Sequence, residues 1–219
     1  MHMLILLPPS EGKNSPESGK KLSLPSLSFA DELTTIRKLA LTSSIDISRC
    51  QPAHEIYSGV LYKALDWQSL SLTAQRRGEK SIIIISAIFG ALRMNDVIPT
   101  YKSKISPSLW KESVSSVLEE LNQDLIVDCR SSTYAGVWSS DPQRTVAIRV
   151  FQVKSGRQSV ITHMSKMYRG QLTRYLLLEK ASLHTPQDLK RVASKYFQVT
   201  LTPNQGKNPW YLDLLIPAG

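Results

Sequence analysis

The sequence predicts an α/β fold: a single domain over residues 1–219 with a mixed central sheet and flanking helices, an α+β arrangement of the same elements being the alternative. Three observations lead there. MLILL (3–7) and SIIIISA (81–87) are continuous apolar runs, the second rich in β-branched residues, as expected of strands buried on both faces. Segments of strand character are interleaved with segments of helical spacing. Strands repeatedly run straight into polar loops, which suits a sheet that carries a site along its strand ends.

The elements follow in order. The first strand, Met3 to Leu7, stops at PPSEGK, which is too polar and too rich in Pro and Gly to continue it. Residues 14–28, rich in Ser, Pro and Lys, form the best candidate for a mobile segment. A helix is expected over 30–48, where Leu33, Ile36, Leu39 and Ala40 share a face and Asp31 and Glu32 suit the first turn. HEIYSGVLYKALDW reads as another, and LTAQRRG as a short one ending at Gly78. The strand at 81–87 is followed by FGALR. A helix from Pro107 to Leu121 leads into the strand LIVD, which ends at CRSSTYAGVW. TVAIRVFQV and QSVIT are strands, a helix begins near Ser165, a short one spans Pro186 to Ala193, and FQVTLT and WYLDLLI close the set. The count is about seven strands and six helices.

Composition narrows the function. No apolar run approaches the roughly 20 residues of a membrane span, and LILL is too short for a signal peptide, so a cytoplasmic protein with no membrane role is expected. The net charge is +9, and residues 144–219 hold 12 Lys/Arg against 3 Asp/Glu while residues 1–143 hold 15 of each. Such a field favours an anionic partner.

Four loops then stand out: Ser10-Glu11-Gly12-Lys13, Phe89-Gly90-Ala91-Leu92-Arg93, Asp128-Cys129-Arg130-Ser131-Ser132-Thr133-Tyr134 and His163-Met164-Ser165-Lys166. Each leaves an apolar strand and delivers a cation, so Lys13, Arg93, Arg130 and Lys166 are expected to converge on one cleft, with Ser131 and Ser132 adding hydroxyl donors. In HMSKMYRGQLTRYLL, Lys166, Arg169, Gly170, Thr173 and Arg174 fall on one helical face, opposite a largely apolar stripe. Cations are unfavourable at a helix N-terminus unless an anion is present, and Gly170 clears space between Lys166 and Arg174. The face reads as a phosphate-receiving site, or else as a solvated basic face with a chance glycine.

At this point a resemblance becomes specific. LILLPPSEGK, YSGVLY, SAIFGALR…DVIPTYK, VDCRSSTYAGVW and THMSKMYRGQLTR stand in the order and approximate spacing of the YaaA peroxide-stress family, and the likeness spans nearly the whole chain. It is similar to the shorter members, with an Arg-Ser pair before the Tyr. PSEGK stands where many members have a Pro-Ala-Lys version, and Met164-Ser165 replaces the more usual residues. The resemblance implies an intracellular α/β protein with a basic cleft and a helix-hairpin-helix element, able to bind double-stranded DNA and to limit iron-driven oxidative damage. Ile56-Tyr57-Ser58-Gly59-Val60 offers the hydrophobe–Gly–hydrophobe order of such a hairpin, with Tyr57 and Gly59 at the turn; a Gly cap between packed helices fits equally.

No metal site or cofactor is expected: His2, His54, His163 and His184 are scattered, and neither Cys50 nor Cys129 has a partner at ligand spacing. Cys129, between Asp128 and Arg130, is either a thiol activated by a guanidinium or a small residue closing a strand. Two functions compete. One is DNA binding by phosphate contacts in peroxide defence. The other is an enzyme acting on a small phosphorylated or nucleotide-like substrate in the same cleft, for which Asp128, Tyr134, His163 and Lys166 are the catalytic candidates.

Overall fold

The computed structural model describes residues 3–155, 157–161 and 164–217. Five parallel strands form its spine: β1 (Met3–Leu7), β3 (Ile82–Ser86), β6 (Leu125–Asp128), β7 (Thr145–Lys154) and β10 (Trp210–Pro217). With β4 (Gly90–Leu92) and β9 (Gln198–Thr202) antiparallel at the edges, the order is β4-β3-β1-β6-β7-β10-β9, and β8 (Arg157–Val160) adds to β7. A second sheet pairs β2 (Cys50–Pro52) with β5 (Val97–Pro99).

Side-chain alternation along each strand divides the core. Met3, Ile5, Leu7, Ile82, Ile84 and Val127 face one cluster; Leu4, Leu6, Ile83, Ile85 and Ile126 face the other. The first cluster is covered by α2 (Ala53–Ile56), α3 (Val60–Leu65), α4 (Leu72–Ser81), α7 (Ser165–Leu178) and α8 (Pro186–Ala193), and the second by α1 (Ala30–Ala40) and α5 (Pro107–Glu120). Helices on both faces explain why the central strands are apolar throughout. The start of α8 is fixed by Pro186 in its first turn and by a reciprocal capping box between Thr185 and Asp188.

Several expectations shift. The helix over 30–48 ends at Ala40. HEIYSGVLYKALDW is two short helices, α2 and α3, broken at Tyr57-Ser58-Gly59. FGALR is not a loop, since Gly90–Leu92 turns back as β4 with Gly90 at φ +67°. Residues 14–28 have little regular structure but are pinned, Asn14 N donating to Ile56 O (2.8 Å), Lys20 N to Cys50 O (3.1 Å) and Leu22 N to Ile47 O (2.8 Å).

The closest helix contact sets where α7 lies. Gly170 is buried against α3, and a Cβ there would collide with the backbone carbonyl of Leu61 and press on Ala64 at 3.0 Å. Thr173, on the same face, is also fully buried. The expected gap between two cations is therefore an interhelical contact, which only glycine permits at this separation. Replacing Gly170 with Ala gains about 1 kcal/mol of helix propensity but forces the helices apart at a cost of about 1–3 kcal/mol. The Gly170→Ala variant should show a net loss in melting temperature of several degrees in a thermal unfolding scan; a rise would place the helices further apart than described.

Candidate functional site

The chain leaves β1 toward β3 on one side and returns to β6 on the other, so the crevice beyond the carboxyl ends of β1 and β6 lies at a switch in strand order, where open α/β sheets hold ligands. The loop after β1 fills its mouth and is docked onto the α2–α3 turn. Gly59 N donates to Ser10 Oγ (2.7 Å), Ser58 N to Gly12 O (3.1 Å), and the Tyr62 hydroxyl to Pro8 O (2.8 Å). Both turn amides are thus engaged within the protein and do not present themselves to phosphate. A Cβ at Gly59 would overlap Ser10 Oγ, so the glycine serves this contact.

Lys13 is the centre of the arrangement. Its Nζ donates to Ser10 O (2.5 Å) and lies 4.4 Å from the Tyr101 ring centroid and 5.6 Å from that of Tyr57. Beneath it Tyr57 and Tyr101 share a hydroxyl hydrogen bond (2.8 Å), and Tyr101 pairs with Ser86 Oγ (2.8 Å). Burial lowers the Lys13 pKa to about 8, the Glu11 carboxylate opposing the shift. Tyr57 is buried, its hydroxyl bonded to Tyr101 and pushed well above the ordinary range by desolvation, so it forms the floor of the site. Glu11, Lys13, Ser44, Ile45, Thr100, Tyr101 and Lys102 line an open cavity of about 390 Å³. A second, of about 540 Å³, lies on the other side of the turn between Asn14, His54, Tyr62, Lys63 and Trp67.

Lys166 reaches this centre from α7, its Nζ 4.0 Å from Glu11 Oε1, with side chains 50% and 95% exposed. Tyr134, half-buried in α6 (Ser132–Ala135), has its hydroxyl pKa raised first by burial and then by the Glu11 carboxylate, which puts it on the same loop cluster. Ser131 is the residue before α6, where its side chain makes no cap hydrogen bond. His163 lies outside the described residues.

The arginines have other work. Arg130 grips Asp128 in a two-pronged pair (2.9 and 2.8 Å) and donates to Trp138 O (3.0 Å), with the guanidinium almost wholly buried, so neither member of the pair is available as expected. Arg169 donates to Cys129 O, Arg130 O and Ile148 O (3.3, 3.2 and 3.0 Å), tying the chain that leaves β6 to the interior of β7 just past their last paired residues. Arg174 caps α3 through Leu65 O and Asp66 O (2.9 and 2.8 Å). Arg93 does not converge with the others. Because β4 runs antiparallel, Arg93 emerges at the amino end of β3 and caps α4 through Glu79 O and Lys80 O (2.8 and 3.0 Å). The loops thus bring Lys13, Lys166 and Tyr134 together, while Arg130, Arg169 and Arg174 serve as donors to backbone.

Cysteine chemistry is also settled by burial. The Cys129 thiol is pushed up to about 12 despite Arg169, and Cys50 to about 11, so both are held as neutral thiols. Among the described residues no group of His, Cys, Asp and Glu has the geometry to hold a metal ion, and no helix is long and apolar enough to cross a membrane.

Comparison with known proteins decides the family. A model described as peroxide stress protein YaaA matches residues 26–201. The chain belongs to the YaaA peroxide stress family. A UPF0246 protein of Streptomyces coelicolor is 31% identical, with 98% of each chain covered. One of Corynebacterium glutamicum is 33% identical over 87% of this chain and 91% of its own. The YaaA assignment accords with the motifs of both the docked loop and α7. Tyr101 and Lys102, both in the DVIPTYK block, and Lys63 on α3 also line these cavities without standing in one of the four strand-end loops singled out by their cations; the signal available for Lys63 was its place four residues past Gly59 on an exposed helix face.

Removing one member of the buried pair leaves the other charge uncompensated, which typically costs about 3–5 kcal/mol. Arg130→Ala should therefore lower the melting temperature strongly in this YaaA-family protein, an outcome checked by calorimetry. Lys13 gives a second expectation. The unfolded lysine keeps its proton to 10.5 while the folded one releases it at about 8. The unfolded state binds more protons in that window, so stability rises with pH across it. Wild type should gain in melting temperature relative to Lys13→Met between about pH 7 and pH 10.

Proposed function

We propose that this protein is a cytoplasmic peroxide-stress factor that binds double-stranded DNA through phosphate contacts made by lysines around the carboxyl edge of the sheet, limiting iron-driven damage to the bound duplex. The observation that carries the reading is the division between the two cation types. Arginines at the core are consumed by backbone carbonyls, whereas Lys63, Lys102 and Lys166 are exposed around the Glu11–Lys13 loop. Strand β7 also runs beyond β6 at this edge, pairing with β6 only over residues 145–147 and with β8 over 151–154. The resulting hairpin extends past the carboxyl end of β6 and carries Lys154 and Arg157, both exposed, on the carboxyl side of the parallel strands. Exposed lysines on separate loops suit a phosphate backbone, which asks for charge with loose geometry, better than they suit a small substrate. In this reading the α2–α3 pair contributes Lys63 and not the amides of a helix-hairpin-helix turn.

Binding to a duplex of any sequence should weaken steeply with salt, and Lys63→Ala, Lys102→Ala and Lys166→Ala together should reduce the slope of log affinity against log salt by about three. Melting temperatures should stay near wild type. Fluorescence anisotropy of a labelled duplex at several salt concentrations measures this; affinity that is flat with salt, or unchanged in the triple variant, sinks the reading. One observation favours a second one, an enzyme for a small phosphorylated substrate: Lys13 lines a cavity of about 390 Å³ with Thr100, Tyr101 and Lys102. Thermal stabilisation by a nucleotide or a sugar phosphate, with none by duplex, would select it.

A further inference from the structure

Lys13 is unlike the other lysines of the site. Lys63, Lys102 and Lys166 stand exposed, while Lys13 is half-buried with its amine laid over the faces of Tyr101 and Tyr57 and tied to Ser10 O. Among the described residues it makes no ion pair, and its flexible stem is held between the docked loop and the tyrosine floor by the backbone pairing of Lys13 with Tyr57. Lys13 nevertheless lines an open cavity, with Lys102 on the cavity wall and Lys166 reaching the Glu11 that shares it. A phosphate contact needs none of this. Burial costs a lysine its hydration and disfavours its charged form, a cost that a surface contact to phosphate does not carry, and it suits an amine that must be positioned and periodically uncharged.

We propose that Lys13 is a nucleophile toward aldehydes, and that its substrate is the C1′ aldehyde of a ring-opened abasic deoxyribose in duplex DNA. This rests on the DNA reading above. The step is a condensation: the unprotonated Nζ attacks C1′, a C–N bond forms, the carbonyl oxygen leaves as water with both amine hydrogens accounted for, and an imine joins Lys13 to the sugar. No oxidant or reductant is required. Intact DNA offers no aldehyde, whereas a sugar that has lost its base is free to open and is cheap to extrude into a pocket. Lys102, on the wall of the same cavity, and Lys166, 4.0 Å from Glu11 at its edge, are the cations available to the flanking phosphates. With its pKa near 8, Lys13 is unprotonated in about one molecule in ten at pH 7, against fewer than about one in a thousand for a lysine at its ordinary value.

The test is reductive trapping. The full-length protein is incubated with a duplex carrying one abasic site and with the matched intact duplex, cyanoborohydride is added, and covalent complex is read on a denaturing gel and mapped by peptide mass. The expected result is a complex with the abasic duplex alone, attached at Lys13, rising in yield through about pH 8. Lys13→Arg keeps charge and length but offers no amine for a stable imine, and should retain duplex affinity while losing at least tenfold in trapped product; Lys38→Gln, on the exposed face of α1 and in neither cavity, should still trap. The proposal is overturned if abasic duplex binds yet traps nothing, or if Lys13→Arg traps as well as wild type. If no duplex binds at all, the DNA reading has failed separately, and glyoxylate with the same reductant interrogates the amine: labelling of Lys13 ahead of the exposed lysines keeps the aldehyde site, and labelling that follows exposure ends it.

Discussion

Backbone carbonyls that leave a helix or sheet without a partner are the constraint around which this chain is organised. A buried carbonyl with no donor costs as much as a lost hydrogen bond, and here guanidinium groups supply the donors. Arg37 serves Phe89, Ser28 and Ala91; Arg93 closes α4; Arg174 closes α3; Arg77 reaches the end of α7 at Leu177; Arg169 ties two carbonyls past the end of β6 to one within β7. The planar fork of arginine suits this work because one head group reaches two or three acceptors at once, which a lysine ammonium on its flexible stem does less well. The sheet ends and the helix ends are in this way knitted to one another, and the loops between them inherit defined positions.

That bonding explains where sequence reasoning succeeded and where it stopped. The long buried strands and the helices α1, α5 and α7 were legible because apolar periodicity over ten or more residues, or a run such as SIIIISA, is set by burial alone, and the shorter α8 was marked by Thr185 and Pro186 at its start. The three-residue strands β2, β4 and β5 were not, since so short a ladder carries no period. In the candidate site the loops were legible and the roles were not. Lys166, Arg169, Gly170 and Arg174 do share a face, yet an arginine that faces a phosphate and one that faces a carbonyl have the same residue type and spacing. Only the partner distinguishes them, and Leu61, Leu65 and Asp66 are over a hundred residues away in sequence. Arg93 failed for a topological reason: an antiparallel turn at Gly90 carried it to the other end of the sheet.

What remains at the strand ends is a site of graded accessibility. Ser10 and the turn amides are locked together, Tyr57 and Tyr101 form a rigid floor, Lys13 sits on that floor at half depth, and the remaining lysines stand outside with Glu11 among them. Charge at the rim attracts and orients a polyanion at long range, and the buried amine acts only at contact. The carboxylate of Glu11 tempers both, since it lies within reach of Lys166 and opposes the lowered pKa of Lys13.

The burial of the two cysteines has a consequence for durability. Peroxide attacks the thiolate, and a thiol kept protonated and away from solvent at the carboxyl end of β6, or beneath Lys20 in β2, offers no foothold. The scaffold is therefore proofed against the oxidant that its family is named for. Thioether sulfur has no proton to hide behind, and Met164 is 41% exposed at the start of α7. Among the described methionines oxidative wear should begin there, two residues from Lys166, at the rim of the site and not in the core.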